Sequence, residues 1–245
     1  MAHTVHLVGG GPGTLLALRR HYKSALGTLG QRPKPPVVAY VGTASDDNRG
    51  FFAMIRAGLS ATPSRVVLAR LASPRAPIRE ARTLLEECDM VFVSGGDVDH
   101  GMKVLQDKGM VETLRALAQR GKPMFGISAG SLMLSREWVR FPDDDEARAE
   151  IFPCLGIAPV HCDAHSEGDG WSELRVLVRL LHERGDREPV GYGLTRKGAL
   201  RVDIGGAPKL EAFGTPIPRI VVTRGRVAEG KPLPVAGNGA KQKTA

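Results

Sequence analysis

Aromatic residues are scarce in this chain, only 5% of 245 positions, and no basic block is interleaved with them. That removes the stacking platforms on which single-stranded nucleic acid is held. Cysteine is scarcer still. Cys88, Cys154 and Cys162 show no paired spacing, which argues against a disulfide framework and for a reducing compartment. Long hydrophobic runs are missing too, since apolar stretches such as "PPVVAYVG" are far too short to span a bilayer. The opening "MAHTVHLVGGG" lacks the basic start, apolar middle and cleavage site of a secretory signal. The expectation is a cytoplasmic protein with no membrane partner.

What is present describes a soluble globular chain, with 42% hydrophobic and 24% charged residues. Its length suits one sizeable α/β domain or at most two small ones. The formal charge of +8 is largely local. From Arg219 onward, Arg224, Arg226, Lys231, Lys241 and Lys243 join it against Glu229 alone. The closing "GKPLPVAGNGAKQKTA" is rich in Gly, Pro and Ala, a composition that frays. We therefore expect a single domain over 1–228 and a flexible basic tail over 229–245. The basic excess reads as solvated surface, with no nucleic-acid partner.

Apolar runs and amphipathic stretches alternate through the first half. "TVHLVG", "PVVAYVG", "SRVVLARL", "DMVFVSGG" and "KPMFGIS" each precede a helical pattern. That alternation implies βαβ units and a mostly parallel sheet. After about Phe141 the pattern changes. "PDDDEARAE" is an acidic surface segment, and "LGIAPVHCDAH" reads as a strand leading into a loop. In "WSELRVLVRLLHERG", Trp171, Leu174, Val178 and Leu181 share a face at helical spacing. The short runs "PVGYG", "ALRVD", "KLEAF" and "RIVVT" then suggest an antiparallel end to the sheet.

Gly9, Gly10, Gly11 and Gly13 lie between the first strand and helix. A dinucleotide fingerprint would need a glycine where Thr14 stands, and a phosphate loop would carry G-K-[ST]. A tight turn is the better reading, and no cofactor is expected. Gly95-Gly96 ends the fourth strand, on the edge where open α/β sheets bind ligands. In "KPMFGISAGS", Ser128 sits between Gly126 and Gly130 where an apolar run gives way to a helix. G-x-S-x-G describes either a serine raised on a strained strand-to-helix turn or small residues in an ordinary loop. A raised serine needs a base, usually histidine. Of seven histidines, His161 and His165 have the best setting, at a strand's end among polar and glycine residues. Their cluster with Cys162 and Asp163 lacks metal-ligand spacing, so no metal is expected.

The order "GGD…GKPMFGISAGS…CDAH", with "TAS" at Thr43–Ser45 and the early "GGG", resembles the peptidase E and cyanophycinase family of serine peptidases, peptidase family S51. The resemblance runs from about Val5 to Val222. It implies the class I glutamine-amidotransferase-like fold: a flavodoxin-like three-layer α/β sandwich, mostly parallel, with an antiparallel extension toward the C-terminus. It also implies Ser128 as nucleophile, His165 as base, and the N–H groups of Gly96 and Ala129 as the oxyanion hole. Asp97 stands where members carry Asn or Asp, and is assigned with Arg175 to substrate binding. For an acidic substrate, Arg136, Arg140, Arg175 and Arg196 are the cationic candidates.

Two departures stand out. Ser166 replaces the aromatic that usually follows the histidine, and only Arg175, Arg179 and Leu180 match the arginine pattern beyond it. The family's orienting acid lies in a segment like "GLDEGTAL", whereas this chain reads "GYGLTRKGAL", with Thr195 and Arg196 in place of the acids. Asp163 is the first substitute, because residues two apart in an extended segment point the same way. Glu167, Asp169, Glu173, a backbone carbonyl or water are alternatives. The expected function is a serine hydrolase cleaving a small peptide or amide through an acyl-enzyme. The alternative is a catalytically impaired relative that binds a small ligand or protein partner, and a homodimer is left open.

Overall fold

The computed structural model describes residues 4–236. Five parallel strands form the centre: β1 (Thr4–Val8), β2 (Val37–Val41), β3 (Arg65–Ala69), β4 (Met90–Val93) and β5 (Met124–Ile127). The helices between them are α1 (Leu15–Gly27), α2 (Arg49–Leu59), α3 (Ile78–Glu87), α4 (Val98–Asp107) and α5 (Val111–Gln119). The helical pattern that follows β4 is two helices, broken at Gly109 in a left-handed conformation. After β5 come α6 (Ala129–Leu134), the antiparallel pair β6 (Glu137–Arg140) and β7 (Glu150–Pro153), then β8 (His161–Ala164) and α7 (Ser172–Arg184). The chain continues through β9 (Val190–Leu194), β10 (Ala199–Asp203), β11 (Lys209–Phe213), β12 (Ile217–Thr223) and β13 (Arg226–Leu233).

The central strands are apolar on both faces, as a sheet covered on both sides requires. Val5 and Leu7 of β1, Ala39 and Val41 of β2, and Val91 and Val93 of β4 face one way and join the core beneath the α3–α6 side. Val8, Val38, Tyr40, Met90 and Phe92 alternate to the other face, under α1 and α2. Three layers result. The few aromatics are concentrated on this second face, where Phe92 stacks on Phe125 at 5.1 Å and on Tyr40 at 5.3 Å between ring centres. Each such ring taken out of water contributes about 1.5–3 kcal/mol.

The seven-stranded sheet runs β11-β10-β1-β5-β4-β2-β3, with β10 and β11 antiparallel as expected of the C-terminal extension. The other late strands do not join it. β8 and β9 pair in parallel, and β12 and β13 add antiparallel to form a separate four-stranded sheet. In this second sheet β9 carries Gly191 and Gly193, where a Cβ would meet Leu174 and Trp171 of the α7 segment at 2.6 Å. The helix lies directly on this strand, with Leu174, Val178, Leu181 and Ile220 buried in a small core of their own. β13 reaches Leu233 in register with Ile217, and Val235 bridges Ala212. The first residues of the expected flexible tail are therefore sheet, paired backbone to backbone; residues 237–245 lie outside the described residues. Among the described residues no helix is long and apolar enough to cross a membrane.

Candidate active site

Ser128 leaves β5 with φ 52° and ψ −127°, a strained conformation for a residue with a Cβ and one that costs roughly 1–3 kcal/mol. Its neighbours hold it there. The Ser128 N–H donates to the carbonyl of Val8 at 2.9 Å, so the turn is tied to the end of β1. Ser131, one helical turn on, is fully buried; its hydroxyl donates to the Val8 carbonyl and accepts from the Val8 N–H, both at 2.9 Å. The two glycines of the motif are steric necessities. A Cβ on Gly126 would lie 2.7 Å from the Gly130 carbonyl, and one on Gly130 would lie 2.1 Å from the Val93 carbonyl. Helix α6 is packed down onto the ends of β4 and β5, and only bare backbone fits.

His165 follows β8 and also has a positive φ, 52°. Its N–H donates to the Leu194 carbonyl at 2.8 Å, extending the β8–β9 ladder by one residue. The ring then meets the serine: Ser128 Oγ and His165 Nε2 are 2.8 Å apart. The Gly95–Gly96 turn closes the other side of the serine, a Cβ on Gly95 coming within 3.2 Å of the Ser128 Cβ. Gly96 has φ 141°, and its Cβ would strike the Ala44 carbonyl at 1.8 Å. Among the described residues the Gly96 N–H has no acceptor, and the Ala129 N–H, first in α6, has no partner within that helix. A cleft of about 520 Å³ opens over these groups, lined by Gly95, Gly96, Ser128 and His165 and walled by Leu15, Leu18, Phe51, Met54, Ile55 and Ile127.

The acids do not reach the histidine. Asp163 Oδ1 accepts from the Ala164 N–H at 2.6 Å, and its Oδ2 is buried without a partner among the described residues. In β8 it sits opposite Gly193, whose bare α-carbon faces the Trp171 ring; the positive φ at His165 breaks the alternation that would have aligned the two side chains. Burial pushes the Asp163 carboxyl up to about 7, whereas an acid supporting a catalytic imidazole is held charged. Glu167 accepts from the Arg196 N–H at 2.6 Å. Asp169 accepts from the Trp171 N–H at 2.9 Å, just before α7. Burial raises Glu173. Among the described residues none of the four is hydrogen-bonded to the His165 ring.

Other expected residues are spent elsewhere. Asp97 is the N-cap of α4, accepting from the His100 N–H at 2.7 Å. Arg175 donates to the Gly170 carbonyl at 2.8 Å and to Glu229 at 2.7 Å. Neither lines the cleft. Arg140 pairs with Asp99 and Glu150. His161 faces Glu137 at 3.0 Å, with Arg184 on the other carboxylate oxygen at 2.6 Å, while Cys162 turns its thiol toward the Ser131 carbonyl. Among the described residues no group of three or more His, Cys, Asp or Glu is placed to hold a metal ion. Ser131 and the apolar walls from α1 and α2 were not read from the sequence. The walls could have been suspected from Leu15 and Met54, which interrupt the polar faces of their helices and are 42% and 56% exposed.

The model of peptidase family S51 matches residues 7–208. The chain belongs to peptidase family S51. A peptidase from an acI-B1 Actinobacterium superposes with a TM-score of 0.69 at 18% identity, over 96% of this chain and 97% of that one. A putative peptidase E protein from Listeria monocytogenes EGD-e gives 0.60 at 14% identity, over 87% and 100%. At these identities the two show the shared fold. A pyridoxal 5'-phosphate synthase subunit PdxT from Geobacillus sp. (strain WCH70) is 30% identical over 84 residues, 34% of this chain and 39% of that protein. The chain thus spans well under half of that relative's length. Membership of family S51 supports a peptidase-type hydrolase.

Proposed function

We propose that this S51 member is a serine hydrolase that cleaves a small peptide or amide through an acyl-enzyme on Ser128. Its base is His165. Ser128 Oγ attacks the carbonyl carbon while His165 Nε2 takes the hydroxyl proton. The carbonyl oxygen becomes an oxyanion facing the Gly96 and Ala129 N–H groups. Preorganised donors of this kind lower a barrier by about 2.7–4 kcal/mol each. Collapse breaks the C–N bond as the imidazolium gives its proton to the leaving amine. Water then attacks the ester, passes its proton through His165, and releases acid and free serine.

The observation that carries this reading is the 2.8 Å contact between Ser128 Oγ and His165 Nε2 on a strained turn that opens into a cleft. A fluorophosphonate probe tests it. The intact chain should label at Ser128, and Ser128→Ala and His165→Ala should abolish labelling. A second reading, an impaired relative that binds a ligand or partner without turnover, draws on the missing carboxylate beside His165. An unlabelled but correctly folded wild type would favour that second reading.

A further inference from the structure

We infer that the outer face of α1 and α2 is a docking surface for another protein, one that presents acidic side chains around an apolar centre. Neither helix contains an acidic residue, while Arg19, Arg20 and Lys23 of α1 and Arg49 and Arg56 of α2 bring five positive charges. The imbalance extends beyond the helices: residues 1–79 hold eleven Lys and Arg against two acids, Asp46 and Asp47. Among the described residues none of the five helix cations is paired with a carboxylate; Arg19 donates to the Gly58 carbonyl at 2.9 Å, and Arg56 lies over the Phe52 ring. Arginine is spent differently on α7, where Arg175, Arg179 and Arg184 each pair with an acid. The same two helices hold all the large hydrophobic side chains that are exposed among the described residues: Leu15, Leu16 and Met54, at 42%, 74% and 56%. Leu16, Arg20 and Lys23 line one stripe of α1. Leu15 reaches across to α2, where a Cβ on Gly58 would lie 2.2 Å from its Cδ1. Apolar and basic groups thus share one patch, and an exposed apolar patch rimmed by polar residues marks an interaction site.

Charge complementarity sets the partner's sign, and the exposed side chains set the rest. A second copy of this chain fits poorly. Face to face, it would set arginine against arginine. Its acidic segment over residues 143–146 has the right sign, but no exposed large apolar side chain to cover Leu16. A nucleic acid would answer the charge and not the apolar groups, and no aromatic ring is exposed on the face for a base to stack on. Helices that lie on a bilayer bury an apolar face in it. Here the apolar faces of α1 and α2 are turned into the core, with Leu18, Tyr22 and Ile55 buried. Protein interfaces, by contrast, are enriched in Arg and Met and set an apolar centre inside a polar rim. Leu15 and Met54 also wall the cleft over Ser128, so a protein seated on this face would reach the mouth of that cleft.

The test uses a synthetic amphipathic helical peptide of Glu and Leu, with Glu/Ser and Lys/Leu versions of the same pattern as controls, titrated into the intact protein by calorimetry. The Glu/Leu peptide should bind about tenfold or more tightly than either control, and less tightly as salt is raised. Changing Leu16→Ser, Arg20→Glu and Arg56→Glu together should weaken it by about tenfold or more, with a thermal melt to show that the variant is folded. Equal binding of the Glu/Ser peptide would overturn the apolar centre, and equal binding of the Lys/Leu peptide the acidic one. Affinity that the triple variant retains would overturn the location. Tighter binding to phosphatidylglycerol vesicles or to duplex DNA than to the Glu/Leu peptide would overturn the protein partner, and no binding to any probe would overturn the surface itself. All of these readouts are of binding, so the Ser128 chemistry stands or falls separately on the fluorophosphonate.

Discussion

The two halves of the Ser128–His165 pair are held by different means. Ser128 belongs to the seven-stranded sheet and is fixed from several directions: the Val8 carbonyl on its N–H, Ser131 clamping both polar groups of Val8, and bare glycines on either side. His165 belongs to the four-stranded sheet. Its backbone is fixed by the Leu194 carbonyl and a positive φ, while its ring has one hydrogen bond among the described residues, to the serine itself. The first half depends on close packing of small residues. The second aims its ring through backbone conformation, with no carboxylate hydrogen-bonded to it among the described residues. On the proposed mechanism, the lack of the family's orienting acid leaves the architecture intact and falls on turnover.

The sharpest test of the nucleophile half is Gly130→Ala. The new methyl would sit 2.1 Å from the Val93 carbonyl and 2.7 Å from the Ser94 carbonyl, backbone atoms that cannot step aside. We expect a loss above about 4 kcal/mol, the range of exceptional substitutions, read as a collapse of the denaturant midpoint. A well-folded variant would show the elbow to be looser than its contacts imply.

Asp163→Asn probes the other half. Unfolded, the Asp163 carboxyl ionises near its ordinary 3.8; buried, it keeps its proton to about 7. Between those values the folded state binds more protons than the unfolded one, so stability falls as pH rises through this window and levels off above it. The expected span is on the order of 2–4 kcal/mol. Asn cannot ionise, so thermal melts of the variant across pH 4 to 8 should lose that slope. Turnover should barely change. If it dropped by about 10⁴-fold, as when a triad Asp becomes Asn, Asp163 would be orienting the base after all.

How much of this was legible in the sequence follows the same division. The parallel core shows because each strand is apolar and each helix periodic, and those are local signals. The elbow shows through its company: three small residues at that spacing also fit an ordinary loop, and it is their order with the Gly95–Gly96 turn and the later histidine segment that is specific. The second sheet does not show: β8, β9 and β12 look like any short strand, and the close packing of α7 on Gly191 and Gly193 is a long-range contact with no local signal. That Asp163 is not hydrogen-bonded to His165 has a local reason as well. Strand alternation places it beside His165 only if the strand continues, and the chain turns at His165 with φ 52°. The apolar cleft was hinted at only by Leu15 and Met54, because its walls come from two helices separated by a strand.

Replacing the nucleophile measures the unsupported base directly. In a subtilisin-type triad, losing serine costs about 2 × 10⁶ in kcat and losing the acid alone about 3 × 10⁴. With the acid's share already forfeited, Ser128→Ala should lower kcat by only about 10²-fold relative to wild type. A fall near 10⁶-fold would reveal some other group steadying the imidazole.

The smallest effect separates a cap from a contact. Asp97 adjoins the Gly95–Gly96 turn, and the family resemblance made it a candidate for binding substrate, yet its carboxylate accepts from the His100 N–H and starts α4. Removing such a cap costs about 1 kcal/mol. Asp97→Ala should therefore lower the melting temperature slightly and leave KM alone, while Asp97→Asn, which still accepts from the same N–H, should recover most of the stability. A raised KM in both variants would return Asp97 to the substrate. A raised KM in Ala alone would mean that the glycine turn, and with it the oxyanion hole, shifts when α4 loses its first bond.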